Sequence, residues 1–131
     1  MYRILLADDE GIMLESLKKI IETEYGNECE IHCAKSGRVV VEMAQAYPPD
    51  ICFMDIQMPV MNGYEATKTI RTMDRSDAKK IPIIAMTANA FVEDRIKSKE
   101  AGMNEHLAKP LESEVLIKTI ANYCGKVDHF K

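Results

Sequence analysis

Three acids, a threonine and a lysine in this chain could do chemistry together. They are Asp8 and Asp9 in "ILLADDE", Asp55 in "ICFMDIQMPVMNG", Thr87 in "IPIIAMTANAF" and Lys109 in "LAKPL". If the carboxylates converge, two of them at ~4 Å repel by about 4 kcal/mol at an intermediate dielectric, so the cluster needs a cation. All-oxygen ligation with room for water suits Mg²⁺ or Mn²⁺. Lys109 adds a second positive group and Thr87 a hydroxyl donor. A hard cation, a lysine, a hydroxyl and one carboxylate suit a phosphoryl group. The cation and Lys109 would neutralise its oxygens, and Asp55 would be the nucleophile, forming an aspartyl phosphate.

Convergence depends on the elements that carry these residues. Short β-rich runs alternate with helical patterns along the whole chain. Strands are expected over Arg3 to Ala7, Cys29 to Ala34, Asp50 to Met54, Ile81 to Met86 and Glu105 to Leu107. Helices are expected over Ile12 to Glu24, from the Ser36 cap to Tyr47, and over Gly63 to Met73, Asn89 to Ala101 and Leu111 to Tyr123. Gly26-Asn27 and Gly102 terminate the first and fourth. Such alternation makes a parallel sheet covered on both faces. Ligands of these sheets bind beyond the carboxyl ends of the strands, where Asp8, Asp9, Asp55, Thr87 and Lys109 all fall. Pro59 and Asn62-Gly63 then turn the chain away and leave Asp55 accessible.

Each piece has an ordinary reading when taken alone. "DDE" before a helix is commonly a set of N-terminal acids. "NG" is a turn, Thr87 a helix cap, His106 a satisfied strand histidine, and the methionines core filler. The weight lies in their coincidence on one rim.

The chain has 131 residues, 47% of them hydrophobic and 29% charged, which fits one globular domain. Net charge is −4 with acids and bases mixed, which argues against a nucleic-acid surface. No apolar run approaches a membrane span and no signal segment opens the chain, so the expectation is a cytoplasmic protein without membrane insertion. Cys29, Cys33, Cys52 and Cys124 form no C-x-x-C pair and read as reduced, buried thiols. Zinc on Cys29, His32 and Cys33 is the weaker reading, because adjacent strand residues point to opposite faces. Residues 1–124 form the expected domain and 125–131 a flexible tail.

The segments "ILLADDE", "ICFMDIQMPVMNGYEATKTIR", "IPIIAMTANAF" and "AGMNEHLAKPL" together resemble the receiver domain of two-component response regulators. The wording of "MTANAF" and "LAKPL" is most similar to receivers of hybrid sensor histidine kinases, so the chain could be free-standing, or part of a hybrid kinase or of a longer regulator. The resemblance implies a flavodoxin-like α/β fold: one doubly wound, five-stranded parallel sheet of order 2-1-3-4-5 with five helices. It implies that Asp55 accepts a phosphoryl group from a histidine kinase or histidine phosphotransfer protein. Asp9 would bind Mg²⁺ directly, Asp8 through water, and the Gln57 carbonyl would be a further ligand. Thr87 and Lys109 would contact the phosphoryl oxygens, and Lys109-Pro110 would be cis. Gln57 and Asn89 would flank the attacking water and tune hydrolysis.

The same resemblance implies an output face of fourth helix, fifth strand and fifth helix, serving an effector or a homodimer. The phosphodonor would dock near the first helix, where Leu14 and Ile21 are either exposed contacts or plain core. His106 stands where the family has Tyr or Phe and would take the place of that moving ring. Asn62 replaces an Asp and is expected to change only a turn. The domain would catalyse its own phosphorylation and slow dephosphorylation while acting mainly as a signalling module. The alternatives are an aspartyl-nucleophile phosphatase, disfavoured by Gln57 in the general-acid place and the lack of a cap insertion, and a pseudo-receiver that only binds partners.

Overall fold

Strands that are apolar on both faces demand cover on both sides. In the computed structural model, which describes residues 2–74, 78–88 and 92–124, β3 (Ile51–Asp55) and β4 (Ile83–Thr87) are buried at every position. β1 (Tyr2–Ala7) is buried over its last four residues. With β2 (Cys29–Ala34) and β5 (Glu105–Ala108) they form one five-stranded sheet of order β2-β1-β3-β4-β5. All four pairings are parallel. The helices among the described residues are α1 (Gly11–Tyr25), α2 (Gly37–Ala46), α3 (Gly63–Arg71), α4 (Val92–Ala101) and α5 (Ser113–Cys124). This is the expected doubly wound architecture. Among the described residues no helix is long and apolar enough to cross a membrane.

The two-residue period of the strands splits the core into two layers. Leu5, Ala7, Cys52, Met54, Ile83 and Ala85 pack with Val40 and Ala44 of α2 and Ala66 and Ile70 of α3. Ile4, Leu6, Ile51, Phe53, Ile84 and Met86 pack with residues of α1 and α5.

Element ends differ from the expected ones by a residue or two. β3 runs one residue further than expected, so Asp55 is its last residue. β4 starts after Pro82, which has no N–H to donate to a ladder; its carbonyl accepts from Cys52 N at 2.8 Å. The expected start of the fourth helix at Asn89 and the tail 125–131 lie outside the described residues.

One open alternative is settled and one expectation is corrected. The buried stripe of α1 is Leu14, Leu17, Ile21 and Tyr25. Spacings of three, four and four residues keep this set on one face, so Leu14 and Ile21 are core; Met13 and Ile20 flank it half-buried. Ile12, 84% exposed, is the apolar residue that α1 gives to solvent. Of the cysteines, Cys52 alone is fully buried, and the other three are half-buried at the margins of the sheet. All four are free thiols, and burial raises the pKa of each.

Leu14→Ala should therefore cost about 2–5 kcal/mol in urea unfolding, the range for truncating a buried leucine. Ile12→Ala should change stability by no more than about 0.5 kcal/mol. Equal costs for the two would place the stripe wrongly.

Candidate functional site

Four strand ends deliver the site. Asp8 follows β1 directly and is fully buried; its backbone N–H donates to Ala34 O at 3.0 Å, and its Oδ1 accepts from Glu10 N at 2.9 Å. That second bond is a turn, and Glu10, at the N-cap of α1, makes no side-chain cap. The acids of "DDE" are therefore not there to cap the helix. Asp9 is exposed beside Asp8. Asp55, 5% exposed, ends β3, and its Oδ1 accepts from Gln57 N at 3.2 Å.

Carboxylate oxygens of Asp8, Asp9 and Asp55 lie within 4.8 Å of one another. Among the described residues this is the cluster that could hold a metal ion; Cys29, His32 and Cys33 form none. Lys109 reaches into it, with Nζ 2.7 Å from Asp8 Oδ2 and 3.2 Å from Asp55 Oδ2. Thr87, nearly buried, ends β4, and its carbonyl accepts from Lys109 N at 2.7 Å. The Lys109-Pro110 peptide is cis. Asp8, Asp9, Asp55 and Lys109 thus meet through their side chains, and Thr87 joins them through its backbone bond to Lys109.

The charges explain the titration behaviour. Burial, and then the neighbouring charge of Asp8, push the Asp55 pKa up to about 6 against the pull of Lys109. Burial alone would lower the Lys109 ammonium, but the hydrogen bond to Asp8 and the charges of Asp55 and Asp8 outweigh it and raise its pKa. Three ionised carboxylates and one ammonium leave two net negative charges. That balance and the oxygen donors fit a divalent cation such as Mg²⁺ or Mn²⁺.

The loop beyond Asp55 is fixed more firmly than a simple turn. Asn62 Oδ1 accepts from Glu65 N at 2.9 Å while Glu65 Oε1 accepts from Asn62 N at 3.1 Å, a reciprocal cap on α3. Gly63 N donates to Ile56 O at 2.9 Å. A Cβ on Gly63 would lie 2.7 Å from Asp55 O and 2.9 Å from Ile56 Cα, so only glycine allows this approach. The "NGYE" spacing was the available sequence signal for the cap. Gln57 is exposed, and Asn89 falls outside the described residues. His106 stands apart from the acids, half-buried on β5, with Nδ1 3.2 Å from Ser98 Oγ.

A family model described as the response regulator receiver domain matches residues 4–121. The chain belongs to that family. Hybrid signal transduction histidine kinase L of Dictyostelium discoideum is 30% identical over 131 residues, covering 97% of this chain and 8% of the kinase. The chain spans 6% to 13% of the length of the first three histidine kinases it matches. Among solved receiver structures, that of sensor histidine kinase PA1611 from Pseudomonas aeruginosa has magnesium coordinated in its active-site cleft. It is 30% identical, covers 95% of this chain and 98% of its own, and has a TM-score of 0.84. The Ssk1 receiver domain of Saccharomyces cerevisiae, solved with the histidine phosphotransfer protein Ypd1, is 26% identical with a TM-score of 0.82, covering 93% of this chain and 88% of its own.

Asp55→Asn should stabilise this receiver domain in the absence of metal. An acid whose pKa is raised from 3.8 to about 6 on folding holds more protons folded than unfolded between those values. The metal-free protein therefore loses stability as pH rises through that window. The gain from Asp55→Asn should be absent below about pH 4 and full above the raised pKa, on the order of 1–3 kcal/mol. Denaturant unfolding in chelator at a low and a neutral pH checks this; a gain of equal size at both would assign it to something other than the carboxylate charge.

Proposed function

We propose that this receiver domain takes a phosphoryl group onto Asp55 from the phosphohistidine of a kinase or phosphotransfer protein in the cytoplasm, and that the modification switches partner binding. The observation that carries the reading is the placement of Asp55: a nearly buried carboxylate, clustered with Asp8 and Asp9, whose Oδ2 is 3.2 Å from the Lys109 ammonium. The magnesium in the PA1611 receiver and the phosphotransfer protein on the Ssk1 receiver support it.

In the proposed reaction an Asp55 oxygen attacks phosphorus. The P–N bond to the donor imidazole breaks, and its electron pair stays on the ring nitrogen, which takes up a proton. Asp8, Asp9, Asp55 and the Gln57 carbonyl would hold a divalent ion, which when bound supplies positive charge to the phosphoryl oxygens. Lys109 adds charge from the carboxyl end of β5, and the Thr87 hydroxyl donates to a phosphoryl oxygen. Gln57 and Asn89 carry amides, which would orient or block water without acting as strong bases and so tune the lifetime of the acyl phosphate. The new charge is read out by α4, β5 and α5, through an effector or a second copy.

Incubation with acetyl phosphate and Mg²⁺, followed by intact mass, tests the reading. One phosphoryl group should be gained, lost in chelator and lost in Asp55→Asn. Equal labelling in chelator would remove the metal from the mechanism, and a label retained in Asp55→Asn would move the acceptor elsewhere.

A further inference from the structure

Among the described side chains of α4, Arg95, Ile96, Lys97, Lys99 and Glu100 are exposed, while Ser98 and Ala101 are buried. A nearly solvent-bathed helix thus turns a hydroxyl, 3% exposed, toward the sheet. A buried hydroxyl requires a partner. Ser98 Oγ finds His106 Nδ1 at 3.2 Å, across the gap between α4 and β5.

The far end of α4 is held separately. Arg71 of α3 donates from Nε and Nη2 to Gly102 O at 3.0 and 2.8 Å, and from Nη2 to Asn104 Oδ1 at 2.9 Å. Met103 N donates to Ser98 O at 2.9 Å. With that end clamped, the Ser98–His106 bond ties α4 to β5 about one turn further from it. His106 pairs with Ala85 in the β4–β5 register, and Thr87 with Ala108. Strand alternation therefore puts Thr87 and His106 on the face of the sheet that carries Ala85 and meets α4.

We propose that Ser98 is a positioning residue for the output of this domain. Its hydroxyl orients the His106 ring and fastens α4 to β5 in the resting arrangement, so that it sets how readily the phosphorylated arrangement is reached. The inference rests on the reading of Asp55 as phosphoacceptor. The hydroxyl can donate to a bare Nδ1 or accept from a protonated one, so the bond couples Ser98 to whichever tautomer the ring holds.

The test is Ser98→Ala, which leaves every rim residue in place. In NMR spectra the His106 ring nitrogens should shift from their parental positions. The beryllofluoride concentration that half-saturates the Mg²⁺-loaded protein, read from α4 amide shifts, should fall about two- to tenfold, the worth of one hydrogen bond. Ser98→Thr, which keeps the hydroxyl, should restore the parental value. His106→Phe, which removes the ring nitrogen instead, should lower it as Ser98→Ala does. Adding Ser98→Ala to that variant should change nothing more. Unchanged ring nitrogens, or an unchanged or raised half-saturation in Ser98→Ala, overturns the proposal while the parent's own response upholds Asp55. A parent that gives no response to beryllofluoride overturns both.

Discussion

Two carboxylates of low solvent exposure share one ammonium here, and much of the molecule is arranged to permit it. Asp8 and Asp55 end adjacent parallel strands, which lie about 4.8 Å apart in any sheet, so the fold itself forces the acids together. Neither can move away from the other without breaking the β1–β3 ladder. Lys109 follows β5, two strands away from β3, a gap of roughly 10 Å. The length of a lysine side chain is what closes that gap. Thr87 ends the intervening strand.

The same constraint extends into the loop that follows Asp55. Gly63 brings the first turn of α3 against the backbone of Asp55, and Gly37 at the start of α2 donates to Met61 O at 3.1 Å. Between them Val60 adopts φ 67°, a left-handed conformation that costs a β-branched residue on the order of 1–3 kcal/mol. The cap on α3, the Gly37 bond and the Met61 N donation to Pro59 O at 2.7 Å hold the loop in that shape. Asp55 is thus fixed from the strand before it and from the loop after it.

Much of this was legible in the sequence because strand ends can be located to within a residue or two, and function in this architecture lives at strand ends. The five rim residues were found that way, and the whole motif set pointed to one family. Features that depend on packing between helices and strands were harder to read. The α1 sequence left Leu14 and Ile21 as either exposed contacts or core, and only the face that the sheet presents to the helix decided for core. Ser98 has no motif at all: a serine among charged residues reads as surface, and its burial follows from the docking of α4 on β5. Asn62 was read as a turn residue, although Glu65 three positions later carried the capping signal. The half-burial of Cys29, Cys33 and Cys124 reflects their places on an edge strand and a terminal helix, which local apolarity does not reveal.

An open parallel sheet has two unpaired margins, here β2 and β5, each with a row of backbone groups able to recruit a foreign strand. Both are blunted by charge and length. β2 carries Glu30, paired with Arg3 at 3.0 Å, and His32, whose ring stacks on Tyr47 at 5.1 Å between centroids. β5 is only four residues long and opens with the exposed Glu105. A sheet whose two margins are short or charged is poorly suited to pairing edge to edge with a second copy of itself, so the fold carries its own guard against strand-by-strand association.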